Sequence, residues 1–457
     1  MRKKAAAMTV VFVFLATSCL ITNRPVSGAP VTENTWTNKA SMNQARAGLG
    51  VVAVNDKIYA IGGSTASGTY PPDMFRGGFV GTNEEYDPTT DTWTIKVFMP
   101  TPRAYFAVAA YQNKIYCIGG AVGFSFDDRS GFYSYVESIA NEVYDTATNT
   151  WETKTPLPYA QMGLQASVVN GKIYVVGGAY TYVYYPENDS WGLKKQVPVS
   201  YPLSVVVDDR LLVTGEYEPL SGSPEQRILT YDMEADNWNE VASSTNAVVE
   251  GAAGATTGAK VPQEVYVFGL KVDTVVPTVV NQVYDPRTST WAMAANMTVT
   301  RSDFGIAVVD DILYVIGGYL RSSSRVTPTA VNEQYIPFGY GTPPEINLLS
   351  PVNHSYNESS VPLLFTVDKQ IYWMGYSLDC QDNNTVTGNV TLSELTNGAH
   401  NITVYAEDTF GNEGASETII FNIDVPESFP TTLVIASVIT VSVIGIVLLV
   451  YFKKRKH

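Results

Sequence analysis

Residues 103–151 read RAYFAVAAYQNKIYCIGGAVGFSFDDRSGFYSYVESIANEVYDTATNTW. Two apolar runs, FAVAAY and IYCIGG, are joined by the polar QNK, and a double glycine closes the second. A loop then leads to NEVYD, TATNT and a tryptophan. Apolar runs of this length, bounded by Gly, Asn, Asp and Pro, are strands and turns, and no 3.6-residue period appears before residue 430. The order recurs along the chain. KIYAIGG (57–63), KIYVVGG (172–178) and ILYVIGG (312–318) repeat the double glycine, and NEEYDP, NQVYDP and NEQYI repeat the outer half. Trp36, Trp93, Trp151, Trp191, Trp238 and Trp291 recur at spacings of 40 to 58 residues, the period of a propeller blade rather than of a helical solenoid. In copies four and five the double glycine becomes Gly215-Glu216 and Gly269-Leu270, while YDMEADNW and YDPRTSTW keep their outer halves.

Six copies in register resemble the kelch repeat, a four-stranded blade, over about residues 31–340. The fold class expected is all-β: a six-bladed kelch-type β-propeller over 30–342, then a small β-sandwich, plus one C-terminal transmembrane helix. Three finer expectations follow. The double glycines suit a place near the axis where backbones crowd. The Trp and Tyr side chains fill the wedges between sheets as core, each burying ~150–250 Å². The strand around ENTW, which has no double-glycine strand before it, completes the last blade, which ends at NEQYI without its own tryptophan. Blades six, one and two are then consecutive in space, and no open edge remains.

Outside the propeller the period breaks. EINLLSP, VPLLFTVD, IYWMGYSLD, NVTLSEL, HNITVYAED and SETIIFNID read as short strands of a sandwich over 343–425. The stretch YAEDTFGNEGASETIIFNI resembles the closing strands of immunoglobulin-like or fibronectin-like modules. PESFP (426–430) is a short linker. Residues 431–452 carry no charge and at ~1.5 Å per residue are long enough for a ~30 Å hydrocarbon core. The basic tail 453–457 holds its end in the cytoplasm. Residues 1–29, with Arg2, Lys3 and Lys4 before an apolar run, read as a secretory signal peptide. The localisation expected is therefore a single-pass membrane protein with its bulk extracellular.

The net charge is −15, and eight of the 29 basic residues lie in the two ends, leaving −23 between them. Nucleic acid is thereby excluded as a partner. Three cysteines do not make a disulfide framework. Glycosylation sequons occur at Asn188 and Asn296 in the propeller and at Asn353, Asn357, Asn383, Asn389 and Asn401 beyond it.

Chemistry is sparse. The three histidines, His354, His400 and His457, all lie outside the propeller, which removes most metal sites and the ligands that copper radical oxidases on kelch propellers need. Sialidase boxes, GxSxG, HExxH and P-loop motifs are missing. No cofactor is expected. A carbohydrate-active enzyme needs only carboxylates, and Asp73, Asp127, Asp128, Glu137 and Glu216 stand in or near the loops after the glycines.

Binding has more to draw on. The loops 64–82 and 121–140 are long and hold Phe75, Arg76, Phe126, Arg129 and Tyr133 among other aromatics. Such residues on loops over a rigid scaffold suit recognition, or pack the loops together. Arg46, Arg103 and Arg301 each stand 16 residues before their double glycine. They would form an arc able to hold a carboxylate or acidic sugar, or tie neighbouring loops. The expectation is a binding or adhesion module for a protein or carbohydrate ligand at the loop face, since kelch propellers as a family are mostly interaction platforms. A carbohydrate-active enzyme and a structural envelope component are the alternatives.

Overall fold

The computed structural model describes residues 32–69, 78–127, 132–219, 223–272, 278–321, 325–408, 412–426 and 431–455, with backbone alone at 69, 126–127, 132–133 and 431–438. The expected signal peptide, Phe75, Arg76, Arg129, Asp73 and Asp128 lie outside the described residues. Gly28–Thr342 forms one compact unit, and Pro343–His457 belongs to a second.

Among the described residues the first unit contains six four-stranded antiparallel blades, with a further small four-stranded sheet and a two-stranded hairpin in the loops. In blade one, Gly50–Val54 is innermost, followed outward by Lys57–Ile61, Asn83–Asp87 and Thr92–Lys96. The innermost strands of successive blades neighbour one another in cyclic order, and blade six returns to blade one. Closure follows the sequence reading: Thr35–Lys39 pairs with Asn332–Ile336 as the outer strand of blade six, Trp36 opposite Tyr335. Blades four and five also keep four strands. There the strands run on, as in Arg210–Tyr217 through Gly215-Glu216, because the sequence lacks the second glycine that would turn the chain.

The double glycines correct the first of the finer expectations. They close the second strand of a blade, away from the axis, and the crowding comes from the next blade. Gly62 and Gly63 sit at φ +62° and +102°, and a Cβ on Gly62 would lie 2.7 Å from the Arg103 carbonyl oxygen. The Gly63 N–H donates to that same carbonyl at 2.9 Å, and the Gly318 N–H donates likewise to the Arg46 carbonyl at 2.8 Å. Positive φ and close backbone approach together require glycine.

The tryptophans are wedges with a polar task, and most stay half-exposed rather than becoming core. In each blade the ring packs on the Tyr of the Tyr-Asp strand, with centroids 4.8–5.3 Å apart. In five blades the indole N–H donates to a backbone carbonyl at the outer edge of the preceding blade, as Trp93 does to Ala40 at 2.7 Å and Trp151 to Val97 at 2.8 Å. An Asp or Asn in the turn before the tryptophan accepts both the tyrosine hydroxyl and the backbone N–H of that same edge residue. Asp91 takes Tyr86 at 2.7 Å and Ala40 at 2.8 Å. Asn34 does the same for Tyr335 and Ala295 at 2.9 and 2.7 Å, which staples the closing strand to blade five. Blade five carries Ser289 at the turn, and the Trp291 indole N–H has no partner.

The second unit packs a three-stranded sheet and a larger sheet built on Ile371–Leu378, Gly398–Asp408 and Ile419–Ile423 around a core that includes Val361, Leu363, Ile402, Val404 and Phe421. Thr431–Lys454 is one helix along its backbone. Side chains are described from Ile439 onward, and over the described residues no helix is long and apolar enough to cross a membrane.

Candidate functional site

The loops entering the innermost strands and the loops after the second strands lie on one face of the ring. The three arginines belong to this layer but do not meet solvent: each is 0 % exposed. Arg46 pairs with Glu84 at 2.9 Å and donates to the Gly62 and Thr82 carbonyls at 2.8 and 2.9 Å. Arg103 pairs with Glu142 and Arg301 with Glu333, and each reaches a strand carbonyl, Cys117 or Val315, at 2.8 or 2.9 Å. Burial lowers the Arg46 guanidinium to about 10 against the opposing pull of Glu84. The arc expected to hold an acidic ligand is thus corrected: these guanidinium groups tie loops and strands within their blades, and their charges are already answered. At the equivalent place, 16 residues before Gly177, blade three has Gln161, whose Oε1 accepts the Tyr180 N–H at 2.7 Å.

The face is stepped, because loop lengths after the second strand differ. In sequence the loops after the second strand are long in blades one, two and six (62–82, 119–140 and 317–331) and short in blades three (177–180) and four (218–224), and the described parts of the long ones carry added strands. On the raised side, Ala121–Asp127 and Phe132–Glu137 form a hairpin that sets Tyr133 opposite Phe126. Gly68–Thr69 joins Arg325–Pro328 in a small sheet that links blades one and six. The aromatics described there pack on one another: Phe79 on Phe124 at 5.2 Å, Phe124 on Tyr135 at 4.8 Å and Tyr135 on Tyr105 at 5.7 Å. Of the candidate carboxylates, Asp127 and Glu137 end the two hairpin strands and Glu216 lies on blade four, so they do not converge.

On the low side the aromatics are open. Tyr159 and Tyr180 stack at 5.2 Å and 26°, are 60 % and 40 % exposed, and stand among the exposed, uncharged Pro158, Ala160, Gly178 and Ala179. Tyr201 of blade four is 59 % exposed. The sequence reading missed these tyrosines because they sit on short loops, and loop length was the signal it followed.

At the centre lies a rim of six equivalent residues, one per blade, all left-handed: Gly48, Tyr105, Gly163, Tyr201, Glu250 and Asp303, with φ between +47° and +65°. Backbone hydrogen bonds run around it, from Asp303 to the Glu250 carbonyl, Gly48 to Asp303, Tyr105 to Gly48 and Gly163 to Tyr105, at 2.8–3.0 Å. The Tyr105 ring covers Gly48, where a Cβ would lie 2.9 Å from Cε1. Tyrosine and glutamate are uncommon at such φ values, and held strain of this kind gathers at functional sites. Arg321 bonds Glu250 and donates from Nε to Ser302 at 3.0 Å, and Ser302 donates to Asp303 at 3.0 Å. Burial and the neighbouring Glu250 hold the Asp303 carboxyl above the usual range. Burial and Asp303 push the Tyr105 phenol up. Below the rim a cavity of about 360 Å³ follows the axis, lined by side chains such as Val51, Val108, Ala166, Val206, Ala253 and Val308.

Of the sequons, Asn188, Asn296, Asn353, Asn357, Asn383 and Asn389 are exposed, and Asn401 is half-buried in a strand. Among the described residues no cluster of His, Cys, Asp and Glu could hold a metal ion.

The kelch motif matches residues 45–96 and 102–158. The chain is 28% identical over 239 residues to kelch-like protein 15 of Danio rerio, covering 51% of this chain and 33% of that protein. It is 24% identical over 347 residues to kelch-like protein terF of Aspergillus terreus, covering 70% and 68%. Beta-scruin of Limulus polyphemus is 30% identical over 146 residues, 32% of this chain and 14% of that protein. The chain spans about a third of the length of the first kelch-like relatives it matches. The solved structure titled "Structure of YjhT" aligns at TM-score 0.48 and 16% identity, covering 63% of this chain and 95% of that one. The chain is thus similar to kelch-repeat proteins over these matched stretches, and its first unit has an all-β propeller fold.

Proposed function

We propose that the propeller is a protein-binding module, carried on a chain anchored in a membrane with its bulk outside, and that the partner docks on the low side of the stepped face. The observation that carries the reading is the stacked, exposed Tyr159–Tyr180 pair on an uncharged floor beside a wall of packed loops. Rigid aromatic side chains bury much area at little entropic cost and dominate interface energies. Kelch-repeat relatives support a protein partner over other classes. The uncharged stretch 431–452, followed at once by Lys453, Lys454, Arg455 and Lys456, supports the anchor.

The test is a surface-protein and glycan array probed with the purified full chain and with Tyr159→Ala/Tyr180→Ala. The expected result is a protein hit that the double variant weakens by at least tenfold, about 1.4 kcal/mol or more. A hit that both proteins bind equally overturns the placement, and glycan hits alone overturn the partner class.

One observation favours a second reading, a carbohydrate-active enzyme. Glu250 and Asp303 adjoin at the channel mouth, and Asp303 has a raised carboxyl, so one acid and one base could share the site. Turnover of chromogenic glycosides that Glu250→Gln abolishes would establish it.

A further inference from the structure

The floor that carries the tyrosine pair ends against a wall of different character. The hairpin of blade two comes down to Glu137 and runs on through Ser138 and Ile139 into the strand Asn141–Asp145. Backbone hydrogen bonds tie this end of the hairpin to the floor. The Ser138 N–H donates to the Gly120 carbonyl and the Gly120 N–H to the Gln161 carbonyl, each at 2.8 Å, and the Leu157 N–H donates to the Ile139 carbonyl at 2.9 Å. Gln161 in turn holds Tyr180 through its Oε1. Wall and floor therefore meet in a corner. Val136 and Ile139 are 41 % and 47 % exposed on its wall side, so apolar surface is offered there as well as on Tyr159 and Tyr180.

Glu137 stands between those two apolar residues in the chain. It is exposed, and among the described residues no hydrogen bond or ion pair engages its carboxylate. Of the described basic side chains of blade two, Lys154 is bonded to Glu152, Lys114 lies with Asp145 and Glu152, and Arg103 is closed on Glu142. Partial burial without a compensating charge holds the Glu137 carboxyl above its usual range. The chain between its two ends carries −23, so the long-range field also draws in a basic partner.

We infer that the corner takes a basic segment of the partner protein, in which an arginine or lysine pairs with Glu137 while an apolar neighbour packs on Tyr159, Tyr180 and Ile139. The inference rests on the docking reading above and adds the chemistry of the partner. An acidic segment meets an unanswered carboxylate, and a neutral one leaves that carboxylate further desolvated beneath the interface. Arginine suits the place better than lysine, because a guanidinium is weakly hydrated and stacks on tyrosine faces.

A phage-displayed library of random peptides, panned on the purified full chain, tests it, with each enriched peptide remeasured against Tyr159→Ala/Tyr180→Ala and two Glu137 variants. The expected peptides carry an arginine or lysine next to an aromatic or branched aliphatic residue. Glu137→Gln should weaken them about fivefold at low ionic strength. Glu137→Arg should reverse the preference, so that the same peptide with glutamate in place of its basic residue binds better than the original. Glu137 is exposed, so both variants keep the fold. Uncharged or acidic peptides overturn the inference, as does a basic peptide that both Glu137 variants bind unchanged; if the tyrosine variant loses those same peptides, the docking floor itself stands. Peptides that the tyrosine variant binds as well as the parent overturn the docking reading and this inference together. A selection that yields no peptide overturns the inference alone, since a linear basic segment is what it requires.

Discussion

A guanidinium with no exposure must have its charge answered inside the protein, and Arg103 shows the arrangement: Glu142 and the Thr101 and Cys117 carbonyls take its two terminal nitrogens, and only the buried Nε is left without a partner. Removing one partner strands the other. Arg103→Ala is expected to cost about 3–5 kcal/mol in urea unfolding, whereas Arg103→Met/Glu142→Leu should stay within about 1–2 kcal/mol of the parent, because the desolvation cost of both charges leaves with them. Asp303 works in the opposite sense. Its carboxyl is raised in the folded protein, so the native state holds the proton more tightly than the unfolded chain, and stability falls as pH rises above the usual carboxylate range. Asp303→Asn should raise the melting temperature at pH 8 and give little change at pH 4, and equal shifts at both pH values would contradict this. The sixteen-residue interval between arginine and double glycine was legible, and so were the acids of NEEYD, NEVYD and NEQYI. What joins Arg46 to Glu84 across 38 residues is the blade itself, so a linear reading saw three free arginines where the fold has three closed pairs.

At the scale of the strand and its turn, the repeat is a staple between blades. One Asp or Asn accepts a tyrosine hydroxyl and a neighbour's N–H, and the following tryptophan donates to that neighbour's carbonyl. Asp91→Gly keeps the left-handed turn but removes both acceptor contacts, so a loss of about 1–2 kcal/mol is expected in chemical denaturation. Ser289→Gly in blade five, where no such staple exists, should change stability by less than about 0.5 kcal/mol. Tyr86 and Ala40 depress the Asp91 carboxyl, and Tyr231 and Lys195 that of Asp236. Their staples are in force above the usual carboxylate range and weaken as pH falls through it, whereas Asn34 and Asn149 hold theirs at any pH. The YD-to-Trp spacing announced the motif. That the tryptophan's nitrogen serves the preceding blade could not be seen, because the acceptor is 36 to 259 residues away.

For the whole ring, closure rests on Thr35–Lys39, which is last in space and first in sequence. Trp36→Ala removes its packing on Phe268 and Tyr335 and the bond to Ala295, and should cost about 3–5 kcal/mol. Unfolding should then begin at the seam between blades five and six, read as faster amide exchange in Asn332–Ile336 than in Lys172–Val176. The proposed anchor makes its own prediction: alkaline carbonate leaves the full chain in the membrane pellet, and deletion of 431–452 releases it. Release of the full chain would remove the membrane from the reading.

The sequence by itself determined the blade count, the strand order within a blade and the partner of the first strand, because each is written in a local period that repeats six times and leaves one half-repeat over at either end. Tertiary structure alone decided which side chains face solvent. Whether an arginine meets a ligand or a glutamate, and whether an aromatic packs into a loop or lies open, depends on what the neighbouring blade brings to it. The six rim residues illustrate this: two are Gly, two Tyr, one Glu and one Asp, with no common motif, and only the packing of blade six on blade five brings Glu250 beside Asp303 over a channel that no single blade encloses.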